Sequence, residues 1–332
     1  MPGFSKIIGH EQVIGQLKKA IINNRVGHAY LIEGGPGSGK MMLAKAFALA
    51  LLCEDRTPDG DSCGQCRACR QAESGNHPDL ILVHHEKSAL ISVGEIRDQL
   101  VSDIGIKPYN GGYKVYIVKD ADLMNASAQN ALLKTLEEPP AYAVILLLTR
   151  NAAALLETVR SRCLRLNLEG LDNASIQAWL MDEMKLPDYQ ARMVSAFAAG
   201  SIGRAAQLAG SEDFMELRES ALRTAVTAHE MDSHQILLSV SAAEQYKDRI
   251  GDYLETLTLW FRDVLTFKAT QSPDQLVFLD RVTKVREAAS RTSYEGLEAI
   301  LQAIDKAYVR LGANVSFGLT MELLFLTIKE NT

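Results

Sequence analysis

The sequence predicts an α/β domain with a parallel sheet, followed by a chain that is wholly helical. Short apolar segments alternate with amphipathic ones as far as Leu168, which is typical of strands and helices that follow one another in a parallel sheet. A glycine-rich loop joins the first strand to a helix, and ligands of such sheets bind beyond the carboxyl ends of the strands. After Leu168 no strand pattern recurs. We therefore predict a P-loop-type domain over 1–168, a small helical lid over 169–210 and an all-helical domain over 211–332.

The predicted strands are four short apolar segments: HAYLIEG (28–34), DLILVHH (79–85), KVYIVKD (114–120) and AVILLLT (143–149). The predicted helices around them are VIGQLKKAIINN (13–24), MMLAKAFALALLC (41–53), ISVGEIRDQLVSDI (91–104) and NASAQNALLKTLEE (125–138). Ser92 and Glu95 form the pattern of a capping box at the start of the third helix. Pro139 and Pro140 end the fourth helix because proline cannot continue it.

Beyond Leu168 the apolar spacing is helical. Short segments punctuated by Pro187, Gly200 and Gly210 form the predicted lid. In the C-terminal domain one stripe at helical spacing consists of Leu254, Leu257, Phe261, Val264 and Leu265. Such a stripe is typical of a buried helix face, and packing against a partner is a second use that spacing alone does not separate.

Composition and charge exclude several classes of protein. Of the 332 residues, 47% are hydrophobic and 23% are charged, as in an ordinary globular protein. The formal net charge of -6 argues against a generally basic nucleic-acid-binding surface, so any DNA contact is expected to be local. No apolar stretch is long enough to span a bilayer, and the first residues lack the pattern of a secretory signal. We expect a cytoplasmic protein without a membrane partner.

The segment from Gly34 to Lys40 predicts a phosphate-binding loop. It fits G-x-x-x-x-G-K and lies between a predicted strand and a predicted helix, the context in which backbone N–H groups and the lysine hold phosphates. A tight turn without function is the alternative. The predicted nucleotide-binding residues of the loop are Gly34, Gly35, Pro36, Gly37, Ser38, Gly39, Lys40 and Met41.

Two positions around this loop are poorly suited to magnesium. Met41 stands where a Ser or Thr hydroxyl normally binds the ion, and a thioether is a poor ligand for a hard cation. The strand KVYIV is followed by Lys119, where an Asp ligand is usual. A shift of one residue that lets Asp120 hold magnesium remains open.

The grouped cysteines predict a metal site. Cys53, Cys63, Cys66 and Cys69 give the spacing C-x9-C-x2-C-x2-C, whereas Cys163 stands apart and is expected to be a core thiol. Four thiolates fill the tetrahedral positions of zinc and leave no place for water, so the site is expected to be structural. An iron–sulfur cluster is the alternative, and His77 is a competing ligand.

These motifs resemble those of a known family. The series IIGHEQVIGQLKKAI, GHAYLIEGGPGSGK, the cysteine cluster, NALLKTLEEPP and SRC resembles bacterial clamp-loader AAA+ subunits. The motifs extend from residue 4 to residue 204, and the remaining chain agrees in length and helical character only. With its incomplete metal site, the series is most similar to the clamp-loader subunits that do not hydrolyse ATP.

The resemblance implies an AAA+ domain, a lid and a helical collar within a hetero-pentamer that contains delta and tau/gamma subunits. Such a ring opens the sliding clamp and places it on primer–template DNA in the bacterial replisome. It implies structural zinc in a module over residues 53–69, and ATP or ADP bound at most without turnover, with magnesium weak or absent.

The resemblance also gives roles to individual side chains. Arg162, in RSRC, resembles an arginine finger, which in trans stabilises charge on the transferred phosphoryl group and accelerates transfer by about 10³ to 10⁵. A solvated or salt-bridged edge is the alternative. Arg204 and Thr149 resemble the second and first sensors of the nucleotide, and an ordinary helix-terminal arginine is the alternative for Arg204. His10 and Val13 would border the adenine, although core packing also explains them.

Three classes of function remain open from the sequence. The first is a clamp-loader subunit that does not turn over ATP itself and provides Arg162 to a neighbour. The second is an active clamp-loader motor, and the third is another AAA+ remodeller. Polymerase chemistry is expected in another subunit of the holoenzyme, because no carboxylate set for two-metal nucleotidyl transfer is recognisable.

Overall fold

The computed structural model describes residues 3–85, 90–110 and 112–332. The chain forms two compact units, one from Met1–Ser175 with Gly200–Arg204 and the other from Ile176–Ala199 with Ala205–Thr332. The predicted lid contributes residues to both units, and the division into three domains stays a prediction. Among the described residues, no helix combines the length and the apolar character needed to cross a bilayer.

The first unit is built on a parallel sheet. Its strands within the described residues are β1 (Ala29–Gly34), β2 (Leu80–Val83), β3 (Lys114–Val118), β4 (Ala143–Thr149) and β5 (Leu164–Leu168). They pair in the order β2-β3-β4-β1-β5, and every pair is parallel. The helices of this unit are α1 (Glu11–Ile22), α2 (Lys40–Leu52), α3 (Arg67–Glu73), α4 (Val93–Ile96), α5 (Ala126–Glu137) and α6 (Glu157–Arg160). The predicted α/β class is confirmed.

Helices cover both faces of the sheet because the strands are apolar on both faces. Along β4, Ile145 and Leu147 belong to one core cluster, whereas Leu146 and Leu148 belong to another. The first cluster contains residues of α5, and the second contains residues of α1 and α2. Alternate side chains of a strand point to opposite faces, so a continuous apolar run fills both layers.

The edge strand β5 was missed by the sequence analysis. Its first two residues, Leu164 and Arg165, are exposed, and only Leu166 and Leu168 are buried. A five-residue segment with two buried side chains lacks the continuous apolar run that marked the other strands. Cys163, which precedes β5, is half-buried and packs against the core as predicted, whereas its neighbour Leu164 is 49% exposed.

Local capping signals give the helix starts that the sequence predicts. The Ser92 hydroxyl accepts from the backbone N–H of Glu95, whose carboxylate accepts from the Ser92 N–H, completing the capping box at α4. A π-helical turn, Arg97–Val101, continues α4. Asn125 caps α5 by accepting from the backbone N–H of Ala128 at 2.8 Å.

The chain after β5 is helical, as predicted. Its helices are α7 (Asn173–Glu183), α8 (Asp188–Ala198), α9 (Ile202–Ala209), α10 (Glu212–Thr227), α11 (Ser233–Glu244), α12 (Ile250–Thr270), α13 (Val282–Arg291), α14 (Tyr294–Gly312) and α15 (Phe317–Asn331). The predicted stripe lies on α12, where Leu254, Leu257, Phe261 and Val264 are buried and Leu265 is half-buried. These side chains therefore form core, which the periodicity favoured.

Candidate functional site

The predicted P-loop lies at the carboxyl end of β1, where that strand passes into α2. Gly37 and Gly39 have φ angles of 69° and 89°, in the left-handed region that favours glycine. A Cβ at Gly34 would lie 2.6 Å from the Ser38 hydroxyl and 2.9 Å from the Leu168 carbonyl oxygen. The backbone of this loop therefore favours glycine at positions 34, 37 and 39.

Lys40 is folded onto its own loop. Its Nζ donates hydrogen bonds of 2.6 Å to the carbonyl oxygens of Gly34 and Gly35. Burial and then the nearby guanidinium of Arg150 lower the pKa of Lys40, and the carboxylate of Asp120 partly opposes them. A bound phosphate would offer this ammonium group oxygen ligands that carry negative charge.

A cavity of about 370 Å³ opens beside the P-loop. The predicted nucleotide-binding residues that line it are Pro36, Gly37, Ser38, Gly39, Lys40, Met41 and Asp120. Four described residues that were predicted for the same role do not line this cavity: Gly34, Gly35, Thr149 and Arg204. Lys119, Leu148, Arg150 and Gly203 also line the cavity. The structure thus brings the loop together with the ends of β3 and β4.

Met41 brings sulfur rather than oxygen to this cavity. It is partly buried and packs against the core cluster that contains residues of α1 and α2. Its thioether has little affinity for a hard divalent cation, as the sequence analysis argued.

Asp120 lies between two cations. It follows Lys119 directly after β3 and has a left-handed backbone, with φ at 50°. Its carboxylate is 3.4 Å from Nζ of Lys119 and 3.7 Å from the guanidinium of Arg150. Arg150 was not predicted as a site residue. Its only signal in the sequence is its position directly after the apolar run AVILLLT. Lys119, at the position where an Asp ligand is usual, and Asp120, the alternative ligand, therefore belong to one ionic cluster.

Thr149 is the last residue of β4, and its hydroxyl forms two hydrogen bonds. It donates to the Asp122 carboxylate at 3.0 Å and accepts from the backbone N–H of Asn151 at 3.0 Å. The N–H of Arg150 donates to the same Asp122 oxygen at 3.1 Å. Thr149 is fully buried, so its predicted contact with a nucleotide would require this hydrogen-bond network to rearrange.

Arg204 lies in the first turn of α9, which contacts the P-loop. The backbone N–H of Gly203 donates to the carbonyl of Gly37 at 3.2 Å. The N–H of Arg204 donates to the Ser201 hydroxyl at 3.1 Å. The structure therefore places the backbone of this predicted sensor next to the loop.

A second cavity, of about 420 Å³, lies beside the N-terminal segment. His10 and Val13, which the family resemblance places near the adenine, both line it. Nε2 of His10 is 3.1 Å from the carbonyl oxygen of Ser38, which links this segment to the P-loop.

Arg162, the predicted arginine finger, is bound within its own chain. Its guanidinium lies 2.8 Å from the carboxylate of Glu137 at the end of α5 and donates to the carbonyl of Thr158 at 2.8 Å. The side chain is 35% exposed, and that of Glu137 is 50% exposed. Arg162 is thus part of a surface ion pair, the alternative that the sequence analysis kept open, although its exposure leaves it accessible to a neighbouring chain.

The four clustered cysteines come together as a possible metal centre. Their Sγ atoms all lie within 4.8 Å of one another, and the pairs Cys53–Cys66 and Cys63–Cys69 are 3.9 and 4.0 Å apart. A zinc–sulfur bond of about 2.3 Å sets sulfurs of a tetrahedral site about 3.8 Å apart. The cluster therefore fits a tetrahedral metal ion.

Backbone amides of the same segment surround the thiols. The N–H groups of Cys63, Cys66 and Cys69 donate to sulfurs of the cluster at 3.3 to 3.4 Å. Burial raises the pKa of Cys66. Hydrogen bonds from the backbone of Cys69 and Glu54 and from the thiols of Cys69 and Cys63 outweigh this effect and bring the pKa of Cys66 to about 7. Burial raises the pKa of Cys53 and that of Cys69. The charge of a bound metal ion would favour the deprotonated form of all four thiols.

His77 is not a member of the cluster formed by the described residues. It is 5% exposed, and its Nδ1 accepts from the backbone N–H of Asp79 at 3.1 Å. Within the described residues, the candidate ligands are therefore the four cysteines.

Asp61, which the sequence analysis missed, anchors the cysteine module to the N-terminal segment. Its carboxylate is 6% exposed and accepts from the backbone N–H groups of Phe4 at 3.0 Å, Ser5 at 3.1 Å and Ser62 at 2.7 Å. On the same loop, Asp59 pairs with Lys18 of α1 at 2.6 Å. The module thus holds the segment that leads to the second cavity.

Comparison with known proteins agrees with this geometry. The family model described as "DNA polymerase III, delta subunit" matches residues 9–172, and a second model, for the C-terminal part of that subunit, matches residues 212–329. The delta' subunit of DNA polymerase III from Escherichia coli K12 is 32% identical over 97% of this chain and 91% of its own length. The chain belongs to the DNA polymerase III delta' family. The family resemblance inferred from the sequence is confirmed.

Other relatives fall in the same group of proteins. The delta' subunit of Bacillus subtilis is 29% identical over 96% of each chain. The tau/gamma subunit of Haemophilus influenzae is 37% identical over 53% of this chain and 25% of its own length. The tau subunit of Bacillus subtilis is 25% identical over 92% of this chain and 57% of its own length. The two delta' subunits are therefore matched over nearly the whole of both chains, whereas these tau and tau/gamma subunits are matched over only part of their own length.

Proposed function

We propose that the chain is the member of a clamp-loader ring that does not hydrolyse ATP itself. It joins delta and tau/gamma subunits in a hetero-pentamer that places the sliding clamp on primer–template DNA. Its own P-loop holds a nucleotide at most without turnover, and its Arg162 acts in the site of a neighbouring subunit. Membership of the delta' family and the chemistry of the P-loop cavity support this role.

The environment of Asp120 is the observation that carries the proposal. This carboxylate is within 3.4 Å of an ammonium group and 3.7 Å of a guanidinium, so a magnesium ion beside it would meet two positive charges. The hydroxyl that normally completes the site is replaced by the thioether of Met41. Without a bound divalent ion, charge on the transferred phosphoryl group would lack its main stabiliser.

The exposed apolar side chains of α11 and α15 support assembly through the C-terminal helices. These two helices pack against each other and bury Ile236, Val240, Leu324 and Ile328. Large side chains that remain 43% to 57% exposed on the same helices are Leu237, Leu238, Leu319 and Leu323. We assign these four leucines to contacts with the other subunits of the ring.

Zinc is the metal that best suits the cysteine cluster. A set of four sulfurs, two from buried and two from half-buried cysteines, with no described oxygen or nitrogen ligand matches a closed structural site. When bound, the metal would crosslink the loop over 53–69 and supply folding stability rather than chemistry.

The test is reconstitution with delta and tau/gamma subunits, followed by the DNA-stimulated ATPase of the ring. Arg162→Ala is expected to slow turnover at the neighbouring site by about 10³-fold or more while the ring still forms, because a finger acts on the transition state. Arg165→Ala is the matched control, since Arg165 is an exposed arginine on the adjacent strand β5.

An unchanged ATPase with Arg162→Ala would contradict the finger role, and a loss of assembly would show a structural one. The alternative function is an active motor subunit, favoured by the intact glycines and Lys40 of the loop and by the likeness to tau/gamma subunits. Magnesium-dependent ATPase of the isolated chain would establish that alternative. Failure to join the other subunits at all would favour a different AAA+ remodeller.

A further inference from the structure

The cavity beside the P-loop is cationic. Among the described residues that line it, the ionisable ones are Lys40, Lys119, Asp120 and Arg150. Three cations against one carboxylate leave an excess of positive charge at the place where a P-loop receives phosphates. A magnesium ion would normally bring positive charge to this place.

We propose that this cavity binds the polyphosphate group of a nucleotide without a divalent cation, with Lys119 and Arg150 taking the place of the metal. The inference deepens the proposed lack of turnover and rests on it. The ligand class is a nucleoside di- or triphosphate bound as the free anion, and binding of this kind fills the site without providing the metal that hydrolysis needs.

The oxygen atoms near these two cations are already engaged. The carboxylate of Asp120 faces both Lys119 and Arg150, at 3.4 and 3.7 Å. The carboxylate of Asp122 accepts from the Thr149 hydroxyl and from the N–H of Arg150. A divalent cation would have to displace one of these arrangements and sit beside two positive charges, whereas a phosphate would be attracted by both.

The two cations are also able to reach a ligand. The side chain of Lys119 is 62% exposed and that of Arg150 is 58% exposed, so each can turn from Asp120 towards a phosphate oxygen. Guanidinium and ammonium groups both form charge-assisted hydrogen bonds to phosphate, and the planar guanidinium can bind two oxygens at once.

The loop itself offers unsatisfied donors. Ser38 is only 7% exposed, and its hydroxyl has no hydrogen-bond partner among the described residues. The N-terminus of α2, a helix of 13 residues, adds backbone N–H groups. Lys40 would exchange the carbonyls of Gly34 and Gly35 for phosphate oxygens, and the anion would relieve its repulsion by Arg150.

The decisive experiment measures ADP and ATP binding to the isolated full-length chain by calorimetry, once in EDTA and once in excess magnesium. We expect binding in EDTA with a Kd equal to that in magnesium within about twofold, or tighter, since magnesium would neutralise the ligand's charge. No binding in EDTA, or a Kd improved about fivefold or more by magnesium, would overturn the proposal.

Three variants test the residues named. Lys119→Ala and Arg150→Ala should each weaken ADP binding in EDTA by about tenfold, the effect of one charge-assisted hydrogen bond to phosphate. Lys107→Ala removes an exposed lysine of the same unit that does not line the cavity, and its Kd should match the unmodified chain. Thermal unfolding of each variant checks its fold, and equal Kd values for all three variants would contradict the assignment.

Two further arms identify the group that is recognised. Inorganic pyrophosphate in EDTA should compete with ADP, because the cavity acts on phosphates, and ADP binding without such competition would overturn the proposal. Met41→Thr with Lys119→Asp restores oxygen ligands and should make ADP binding depend on magnesium. These measurements use the isolated chain, so their failure leaves ring assembly and the role of Arg162 to be decided separately.

Discussion

Single side chains decide what the P-loop of this chain can hold. The loop keeps the glycines and Lys40 that phosphate binding needs, and their geometry follows from left-handed backbone angles at Gly37 and Gly39. Met41, Lys119 and Arg150 line the cavity beside this loop and bring it a thioether and two cations. On the proposal made above, these three side chains would separate nucleotide binding from turnover without any change of fold.

The cysteines give a prediction at the same scale. Cys69→Ser is expected to reduce the metal content from about one zinc ion per chain to near zero and to lower the melting temperature, because a hydroxyl is a much weaker ligand than a thiolate. Elemental analysis and thermal unfolding measure both effects. Cys163→Ser is the control, because Cys163 lies outside the cluster, and it should keep the metal.

A purified chain without metal, prepared in the absence of chelator, would contradict the assignment of this site. Iron with the visible absorbance of a sulfide cluster would favour the iron–sulfur alternative instead. A Cys69→Ser variant that keeps its zinc would show that the ion is bound elsewhere.

At the scale of elements, the cysteine module acts as an anchor for the start of the chain. Asp61 binds the backbone of Phe4 and Ser5, and the segment that follows contributes His10 and Val13 to the second cavity. The ion pair between Lys18 of α1 and Asp59 joins the same loop of the module to α1. The structure of the cysteine module is therefore linked to that of the N-terminal residues that line the second cavity.

Asp61→Ala is expected to loosen the N-terminal segment while the sheet stays intact. The backbone N–H groups of Phe4 and Ser5 lose a buried acceptor, which costs about 1 to 3 kcal/mol of stability locally. Hydrogen exchange by mass spectrometry should show faster exchange over residues 4–13. Glu54→Ala removes an exposed carboxylate of the same module and should leave exchange unchanged. Equal exchange in the two variants would show that Asp61 is not the anchor.

At the scale of the whole molecule, four leucines on α11 and α15 remain exposed within the described part of their own helical unit. Leu237, Leu238, Leu319 and Leu323 expose large apolar side chains on two helices whose other faces are core. Burying such side chains against another subunit removes apolar area from water, which is the main driving force of association.

Leu323→Glu is therefore expected to weaken assembly with the delta and tau/gamma subunits by about tenfold or more, with the isolated chain remaining folded. The folded chain tolerates the change because Leu323 is 43% exposed. Lys306→Glu alters an exposed charge on α14, which carries none of these four leucines, and should assemble normally. Size-exclusion chromatography with the other subunits reads out both variants. Normal assembly of Leu323→Glu would place the interface elsewhere.

The sequence by itself determined the features that depend on local pattern. Short-range spacing predicts the P-loop, the capping box at Ser92, the strands β1 to β4 and the grouping of the cysteines, because backbone angles, alternation and ligand spacing act within a few residues. Only the tertiary structure decided which distant side chains meet. Arg150 meets Asp120 because β3 and β4 are neighbours whose carboxyl ends share one edge, and Arg162 meets Glu137 because α5 ends beside the turn after α6. Such contacts depend on strand order and helix packing, which bring together residues 25 to 30 positions apart that no local pattern connects.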